Sequence, residues 1–169
     1  SHAFADTGQD ILKVALSGLM IQDVIDRQQG RACPFRHRLK PRHAAPVVAG
    51  NTIIIGAAHR PGGAPPSRTN VKGYVRGFDV RTGDRKWIFH TIPDADEFGN
   101  DSWQNDSWRY TGNTGVWAQM TIDPELNMAY FAVEAPTGDY YGGHRPGDNL
   151  FAESLVAVDV ETGERRWDF

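Results

Sequence analysis

A tryptophan behind a glycine-rich turn is the side chain of this sequence best suited to hold a flat ligand. Trp117 comes two residues after the turn at 112–115, which reads Gly-Asn-Thr-Gly. An indole at the start of a strand usually packs in the core, but its face can also stack on a planar cofactor. From the residues alone, both interpretations of Trp117 stay open.

The acidic stretch at 94–97 is a second candidate for chemistry, because its carboxylates could bind a cation. A calcium-binding loop needs an oxygen ligand where this chain has Phe98, and a closing glutamate where it has Asn105. We therefore interpret residues 94–97 as part of a polar surface loop.

Signatures of several common enzyme classes are missing from the sequence. His59, His90 and His144 lack the close spacing of a zinc site. No glycine-rich nucleotide-binding, serine-hydrolase or zincin motif occurs. Cys33 is the single cysteine, so no internal disulfide can form. The residues therefore give no local support to a nucleotide-binding, serine-hydrolase or zinc-protease function.

Composition argues against an all-helical fold and against wholesale disorder. The 169 residues include 18 Gly and 10 Pro, which argues against a helical bundle, and 40% hydrophobic residues with five Trp can form a core. A net charge of −3 gives no case for a nucleic-acid partner. No signal peptide or membrane-spanning run is visible in the sequence.

An internal repeat indicates how the chain is organised. Residues 76–87 and 156–167 share Asp, Val, Thr, Gly, Arg and Trp at matched positions, 80 residues apart. The Asp and Thr side chains can hydrogen-bond the backbone of a tight turn that Gly closes. The Trp of each copy is placed to pack between neighbouring sheets. This pattern is typical of a propeller blade.

Short β-branched runs separated by turns predict four hairpins and an all-β fold of two four-stranded blades. The domain prediction is a blade at 46–92, a long inter-blade loop at 93–115 and a blade at 116–169. Residues 1–45 form a poorly matched segment of a preceding blade or linker. The predicted strands are 47–49 and 52–55, 74–80 and 85–90, 116–123 and 128–134, and 155–160 and 165–169.

Within the N-terminal segment, residues 31–43 collect five basic side chains and no acid. A solvated basic loop and a phosphate-binding surface are both compatible with that composition. Apolar residues between 11 and 24 fit a helical stripe only roughly, because Ser and Gly at 17–18 interrupt it.

Several runs of residues make the chain resemble the quinoprotein dehydrogenases that use pyrroloquinoline quinone (PQQ), with the glucose-dehydrogenase-like branch as the nearest pattern. Residues 110–118 read Tyr-Thr-Gly-Asn-Thr-Gly-Val-Trp-Ala, and residues 139–149 read Asp-Tyr-Tyr-Gly-Gly-His-Arg-Pro-Gly-Asp-Asn. Further matching runs lie at 75–83, 87–93 and 97–101.

The resemblance implies an eight-bladed propeller that holds PQQ and a Ca²⁺ or Mg²⁺ ion near its axis. Such enzymes oxidise a sugar or alcohol hydroxyl and pass the electrons to a quinone or cytochrome c. The implied location is the periplasm, with membrane association in part of the family. The chain would then be a fragment, inactive alone, whose partners are the remaining blades.

The resemblance also implies site residues. Trp117 matches the tryptophan that stacks under the quinone, and Thr137 lies near a hydroxyl position associated with the cofactor. The general-base aspartate of the family is expected beyond Phe169. The family's metal-binding asparagine, which precedes a proline, appears here as Ala135 before Pro136, so no metal ligand is carried over.

Two other functions remain as alternatives. A non-catalytic propeller scaffold would share the repeated turns, although it has no need of the long loops or of Trp117. A free-standing β domain could instead bind carbohydrate through exposed aromatic side chains. A downstream His/Trp/Asp-rich loop would favour the enzyme over both.

Overall fold

The computed structural model describes residues 44–57 and 68–169. The predictions made for Cys33, for the basic stretch at 31–43, for the helical stripe and for His59 lie outside the described residues. All four strands of each predicted blade lie within them.

The first sheet is an antiparallel meander in which each strand pairs with the next one along the chain. Ile53 and Ile54 pair with Phe78 and Gly77, so that β-branched and aromatic side chains line the faces of the sheet. Its strands are β1 (Val47–Ala49), β2 (Thr52–Gly56), β3 (Tyr74–Asp79) and β4 (Arg85–His90).

The second sheet has the same order and follows two short 3₁₀ helices, Asn100–Ser102 and Gln104–Arg109. Its strands are β5 (Thr121–Asp123), β6 (Met128–Ala132), β7 (Leu155–Asp159) and β8 (Arg165–Asp168). The fold prediction of two four-stranded antiparallel blades is therefore confirmed.

Two of the predicted strands are shorter than expected. The strand expected at 116–123 begins only at Thr121, and the strand expected at 128–134 ends at Ala132. The reason is that residues next to these strands bond to other segments of the chain. The amide of Val116 donates to Ala57 O at 2.8 Å, and the amide of Glu134 donates to Gly115 O at 3.0 Å.

The repeated turns are built as their residue types predict. Asp79 Oδ1 accepts the amides of Arg81 and Thr82 at 2.8 and 3.0 Å, and Gly83 adopts φ +78°. Asp159 Oδ1 accepts the amides of Glu161 and Thr162 at 2.9 and 3.0 Å in the second copy. The carboxylate of each turn therefore accepts hydrogen bonds from backbone amides that have no carbonyl partner within the chain reversal.

Trp87 joins the two sheets, as the repeat predicts. Its indole Nε1 donates to Val160 O at 2.9 Å, and its side chain is 7% exposed. A Cβ atom on Gly163 would lie 2.5 Å from the indole, and one on Gly77 would lie 2.2 Å from it. Both positions therefore need glycine for the ring to lie flat between the sheets. Trp167, the matched residue of the second copy, is 38% exposed and contacts Tyr130.

Apolar and charged contacts also join the two sheets. Phe89 of the first sheet lies 5.7 Å from Phe131 of the second, measured between ring centroids. At the outer side, Lys86 forms an ion pair with Glu161, and Thr52 Oγ1 accepts from Lys86 Nζ at 2.9 Å. One continuous core therefore contains side chains from both sheets.

The meander order places the long connections at one end of both sheets. The tight turns between β1 and β2, β3 and β4, β5 and β6, and β7 and β8 lie at the other end. Trp117 and Thr137 both lie in the long connections. Among the described residues, no helix is long and apolar enough to cross a membrane.

Replacing Trp87 with alanine should lower the free energy of unfolding by about 3–5 kcal/mol, because a large buried side chain between the sheets is lost. Trp167→Ala should cost clearly less, since the matched indole is 38% exposed. Urea unfolding followed by circular dichroism measures both values. Equal losses in the two variants would contradict the role of Trp87 as the joint between sheets.

The turn aspartates should make the fold sensitive to acid. Backbone hydrogen bonds from Thr82 and Arg81 lower the pKa of Asp79. Burial opposes the charge of Asp159, but hydrogen bonds from Arg166, Thr162 and Glu161 outweigh it, so its pKa is also lowered.

A carboxyl group with a lowered folded-state pKa stabilises the protein above its unfolded pKa, and this contribution disappears as pH falls through the folded pKa. The double variant D79N/D159N should therefore be less stable near neutral pH and lose less stability below about pH 4. Urea midpoints measured from pH 7 to pH 2.5 test this. Parallel curves for the variant and the natural chain would refute it.

Candidate functional site

The segment that leads to Trp117 is held against the first sheet by backbone contacts. Residues 111–116 are all buried. Gly73 donates its amide to Asn113 O at 2.6 Å, and the amide of Val116 donates to Ala57 O at 2.8 Å. A Cβ atom on Gly73 would lie 2.7 Å from Asn113 O, so only glycine allows the two backbones to approach this closely.

The other side of the same segment is held by the strand extension after β6. Thr137 donates its amide to Gly112 O at 3.0 Å and accepts the amide of Gly112 on Oγ1 at 3.1 Å. Glu134 donates its amide to Gly115 O at 3.0 Å. Residues 112–116 therefore form a rung, which we call the inter-sheet rung, with hydrogen bonds on both of its edges.

Thr137 is fully buried, and its hydroxyl oxygen holds the inter-sheet rung at Gly112. Its assignment as a cofactor-binding residue stays a prediction. The contacts described here make Thr137 a support for the segment that carries Trp117.

Trp117 projects from the end of the inter-sheet rung and is 58% exposed, whereas Val116 beside it is fully buried. In this chain the indole does not lie in the core, and it is attached to a segment that is hydrogen-bonded on both edges. The assignment of Trp117 as a cofactor-stacking residue stays a prediction.

Glu134 is the residue of this region that the sequence reasoning missed. Its carboxylate accepts the amide of Gly115 at 3.1 Å on Oε1. Burial raises the pKa of Glu134 and the charge of Asp139 adds to this, whereas the hydrogen bond from Gly115 opposes it. The sequence did offer one signal for Glu134, because it is the single acidic residue in the otherwise apolar run at 131–136.

The two long connections pack on each other beside this site. Asn149 donates its amide to Ser102 O at 3.2 Å, and Leu150 donates its amide to Ser102 Oγ at 2.8 Å. Trp103 is 2% exposed, and its indole donates to Leu150 O. Tyr110 donates its hydroxyl to His144 O. The connections therefore form one packed layer over the ends of the strands.

The acidic stretch is a hydrogen-bonded surface loop, as its composition indicates. Glu97 Oε1 lies 2.9 Å from His90 Nδ1, and Glu97 Oε2 accepts the amide of Asp94 at 2.7 Å. Lys72 Nζ pairs with Asp94 at 3.0 Å. These three acidic and imidazole side chains lie within reach of one cation, but their partners are already supplied by the chain itself.

Comparison with curated proteins finds relatives that are quinoprotein dehydrogenases. The chain is 33% identical over 137 residues to lupanine 17-hydroxylase [cytochrome c] of a Pseudomonas species, covering 74% of this chain and 19% of that protein. It is 27% identical over 183 residues to methanol dehydrogenase [cytochrome c] subunit 1 of Methylobacterium organophilum, covering 98% of this chain and 25% of the relative. The chain thus spans about a fifth to a quarter of the length of these relatives.

A solved structure has the same arrangement of strands. Quinohemoprotein alcohol dehydrogenase ADHIIG from Pseudomonas putida HK5 superposes with a TM-score of 0.62 at 27% sequence identity. The match covers 80% of this chain and 21% of that one. The two sheets described above are therefore similar to part of a quinoprotein propeller.

The family model described as "PQQ: Glucose/ethanol/alcohol dehydrogenase, beta-propeller domain" matches residues 15–169. That range includes both sheets, the inter-sheet rung and the long connections. The repeated turns, the joint made by Trp87 and the exposed Trp117 all lie inside it. This chain belongs to the family of PQQ-dependent dehydrogenases with a β-propeller domain.

Proposed function

We propose that this chain is part of the cofactor-binding propeller of a PQQ-dependent dehydrogenase that oxidises alcohols. The observation that carries the proposal is the exposed indole of Trp117 at the end of the buried inter-sheet rung. A binding site for a planar molecule needs an apolar face that does not move when the ligand arrives. The double row of backbone hydrogen bonds behind Trp117 supports such a face.

The residues present fit PQQ at this face. PQQ is a flat tricyclic quinone, and the indole of Trp117 offers a flat surface of comparable width. Asn113 contributes a buried side-chain Nδ2 with no hydrogen-bond partner among the described residues, at 1% exposure. We assign no Ca²⁺ or Mg²⁺ ligand within this chain, because Ala135 stands where the family has its metal-binding asparagine.

When bound, PQQ supplies an electron-accepting quinone for the oxidation of a hydroxyl group. In our proposal, Trp117 orients the ring from one side and keeps water from that face. Thr137 and Gly112 hold the segment that carries the indole.

The substrate that we favour is an alcohol, with a sugar hydroxyl as the alternative. The names of relatives support this choice, since one relative is named for methanol and another for alcohol in general. For the electron acceptor, cytochrome c appears in the names of two relatives and a quinone in that of a third, from Gluconobacter oxydans. We propose cytochrome c first and a quinone second, with the periplasm as the location.

Replacing Trp117 with alanine should weaken PQQ binding by about tenfold, because the stacking face is lost. Trp108→Ala is the matched control, since Trp108 lies in a 3₁₀ helix and its ring is covered by Lys72 and Arg109. The experiment uses the complete protein encoded by the reading frame that contains this chain, titrated with PQQ and followed by fluorescence quenching.

The same protein, loaded with PQQ and Ca²⁺, should reduce an artificial electron acceptor with alcohols. Methanol, ethanol and glucose are compared side by side, which separates the alcohol proposal from the sugar alternative. Absence of reduction with every alcohol and sugar, despite PQQ binding, would overturn the dehydrogenase proposal and favour a non-catalytic propeller.

A further inference from the structure

We propose that a left-handed bulge in the inter-sheet rung, formed by Asn113 and Thr114, aims the Trp117 side chain out of the core. Asn70 and Thr91 are the positioning residues that hold this bulge. The inference rests on the proposed function, since the orientation of Trp117 matters for binding only if its indole stacks on the cofactor. All four residues act through the backbone that carries Trp117, without contact to the reacting atoms.

The backbone of the bulge adopts a conformation that its side chains disfavour. Both residues have a positive φ, +61° for Asn113 and +55° for Thr114. Asparagine enters this left-handed region more readily than most residues, whereas a β-branched threonine there is a genuine outlier. Such a costly conformation persists only where the surrounding structure holds it.

The bulge interrupts the regular alternation of hydrogen bonds along the rung. In an extended strand, successive residues bond to opposite edges. Asn113 donates its amide to Val71 O on the side of the first sheet, but Thr114 and Gly115 both bond to the segment after β6. Val116 then bonds to the side of the first sheet again. The two residues that bond to the first side are thus three positions apart instead of two, which is the one-residue insertion of a bulge.

This insertion decides which side chain leaves the core. A shift of one residue moves every following side chain of a strand to the other face. With the bulge, Val116 is fully buried and Trp117 is 58% exposed. The same alternation continues toward β5, where Gln119 and Thr121 are exposed and Met120 between them is buried. Without the extra residue, Trp117 would take the inward position and Val116 the outward one.

Buried hydroxyl groups hold Thr114 in the left-handed conformation. Its Oγ1 donates to Asn113 O and lies 3.1 Å from Oγ1 of Thr91. Since the hydroxyl proton of Thr114 is directed at Asn113, the Thr91 hydroxyl is the donor of the second bond. Thr91 and Thr114 are both fully buried, so a hydroxyl that left this pair would lose its partner without gaining water. Thr91 directly follows β4, which connects the bulge to the first sheet.

A side-chain amide holds the other residue of the bulge. Asn70 Nδ2 donates to Asn113 Oδ1 at 2.7 Å. The Oδ1 atom of Asn70 accepts the amide of Val71 at 2.8 Å, so both ends of the Asn70 amide group are bonded. Asn113 is 1% exposed, and its backbone amide donates to Val71 O at 2.8 Å. Asn70 and Thr91 therefore restrain consecutive residues of the same bulge.

The test separates the hydroxyl contact from the backbone conformation by two substitutions at one position. Thr114→Val removes the hydroxyl but keeps the β-branched shape, so the strain remains without its restraint. Thr114→Gly removes the hydroxyl and the strain together, since glycine adopts a positive φ readily. Thr91→Val removes the partner hydroxyl. Thr52→Val is the matched control, because Thr52 is also fully buried and its hydroxyl is hydrogen-bonded, but at the turn end of the first sheet.

The variants are made in the complete protein encoded by this reading frame and labelled with 5-fluorotryptophan, and Trp117→Phe identifies the Trp117 resonance. Without cofactor, this resonance should shift or split in T114V and T91V, because the ring loses its single orientation. It should keep its position in T114G and T52V. The dissociation constant for PQQ should rise about threefold to tenfold in T114V and T91V, and by less than about twofold in T114G.

A Trp117 resonance disturbed as much in T114G as in T114V would overturn the proposal, because lost packing would then explain both changes. An unchanged resonance in T114V and T91V would overturn it as well. If T114V does not fold, T91V and the double variant T91V/T114G give the same comparison, since glycine should restore the resonance. Failure of the proposed function gives a different result: Trp117→Ala then binds PQQ as tightly as the natural protein, while the cofactor-free resonances still report on the bulge.

Discussion

Backbone hydrogen bonds along both edges of the inter-sheet rung are the constraint on which this structure depends. The rung fills the space between the ends of the two sheets, with Gly73 and Ala57 on one side and Glu134 and Thr137 on the other. The partners of the rung lie next to β2 and β3 and in the segment after β6, so the rung cannot shift without breaking hydrogen bonds to both blades. The backbone of Trp117 directly follows this segment, which supports the proposed stacking surface.

The joint made by Trp87 holds the blades together closer to their turn ends. Its indole lies against Gly77 and Gly163 and donates to Val160 O. This single side chain therefore contacts both sheets and sets the distance between them. The rung and the Trp87 joint therefore act at different levels of the same interface. Together they leave the long connections to form one packed layer at the end where Trp117 is exposed.

Much of the architecture could be predicted from local sequence because it depends on local chemistry. The turns at Asp79 and Asp159 form from residues within a few positions of each other, and the alternation of the strands is equally local. The early strand start at Val116 was wrong because its amide bonds to Ala57, which is far away in sequence. Glu134 was missed for the same reason, since its hydrogen-bond partner, Gly115, lies in the preceding connection.

The sequence by itself determined the two blades, the repeated turns and the family, because each depends on residue types at fixed spacings along the chain. Only the tertiary structure decided that Trp117 is exposed in this chain, that Thr137 is buried against Gly112 and that the Glu134 carboxylate accepts the amide of Gly115. Exposure and pairing depend on which distant segments the two sheets bring together. The spacing of residues along one chain does not contain that information.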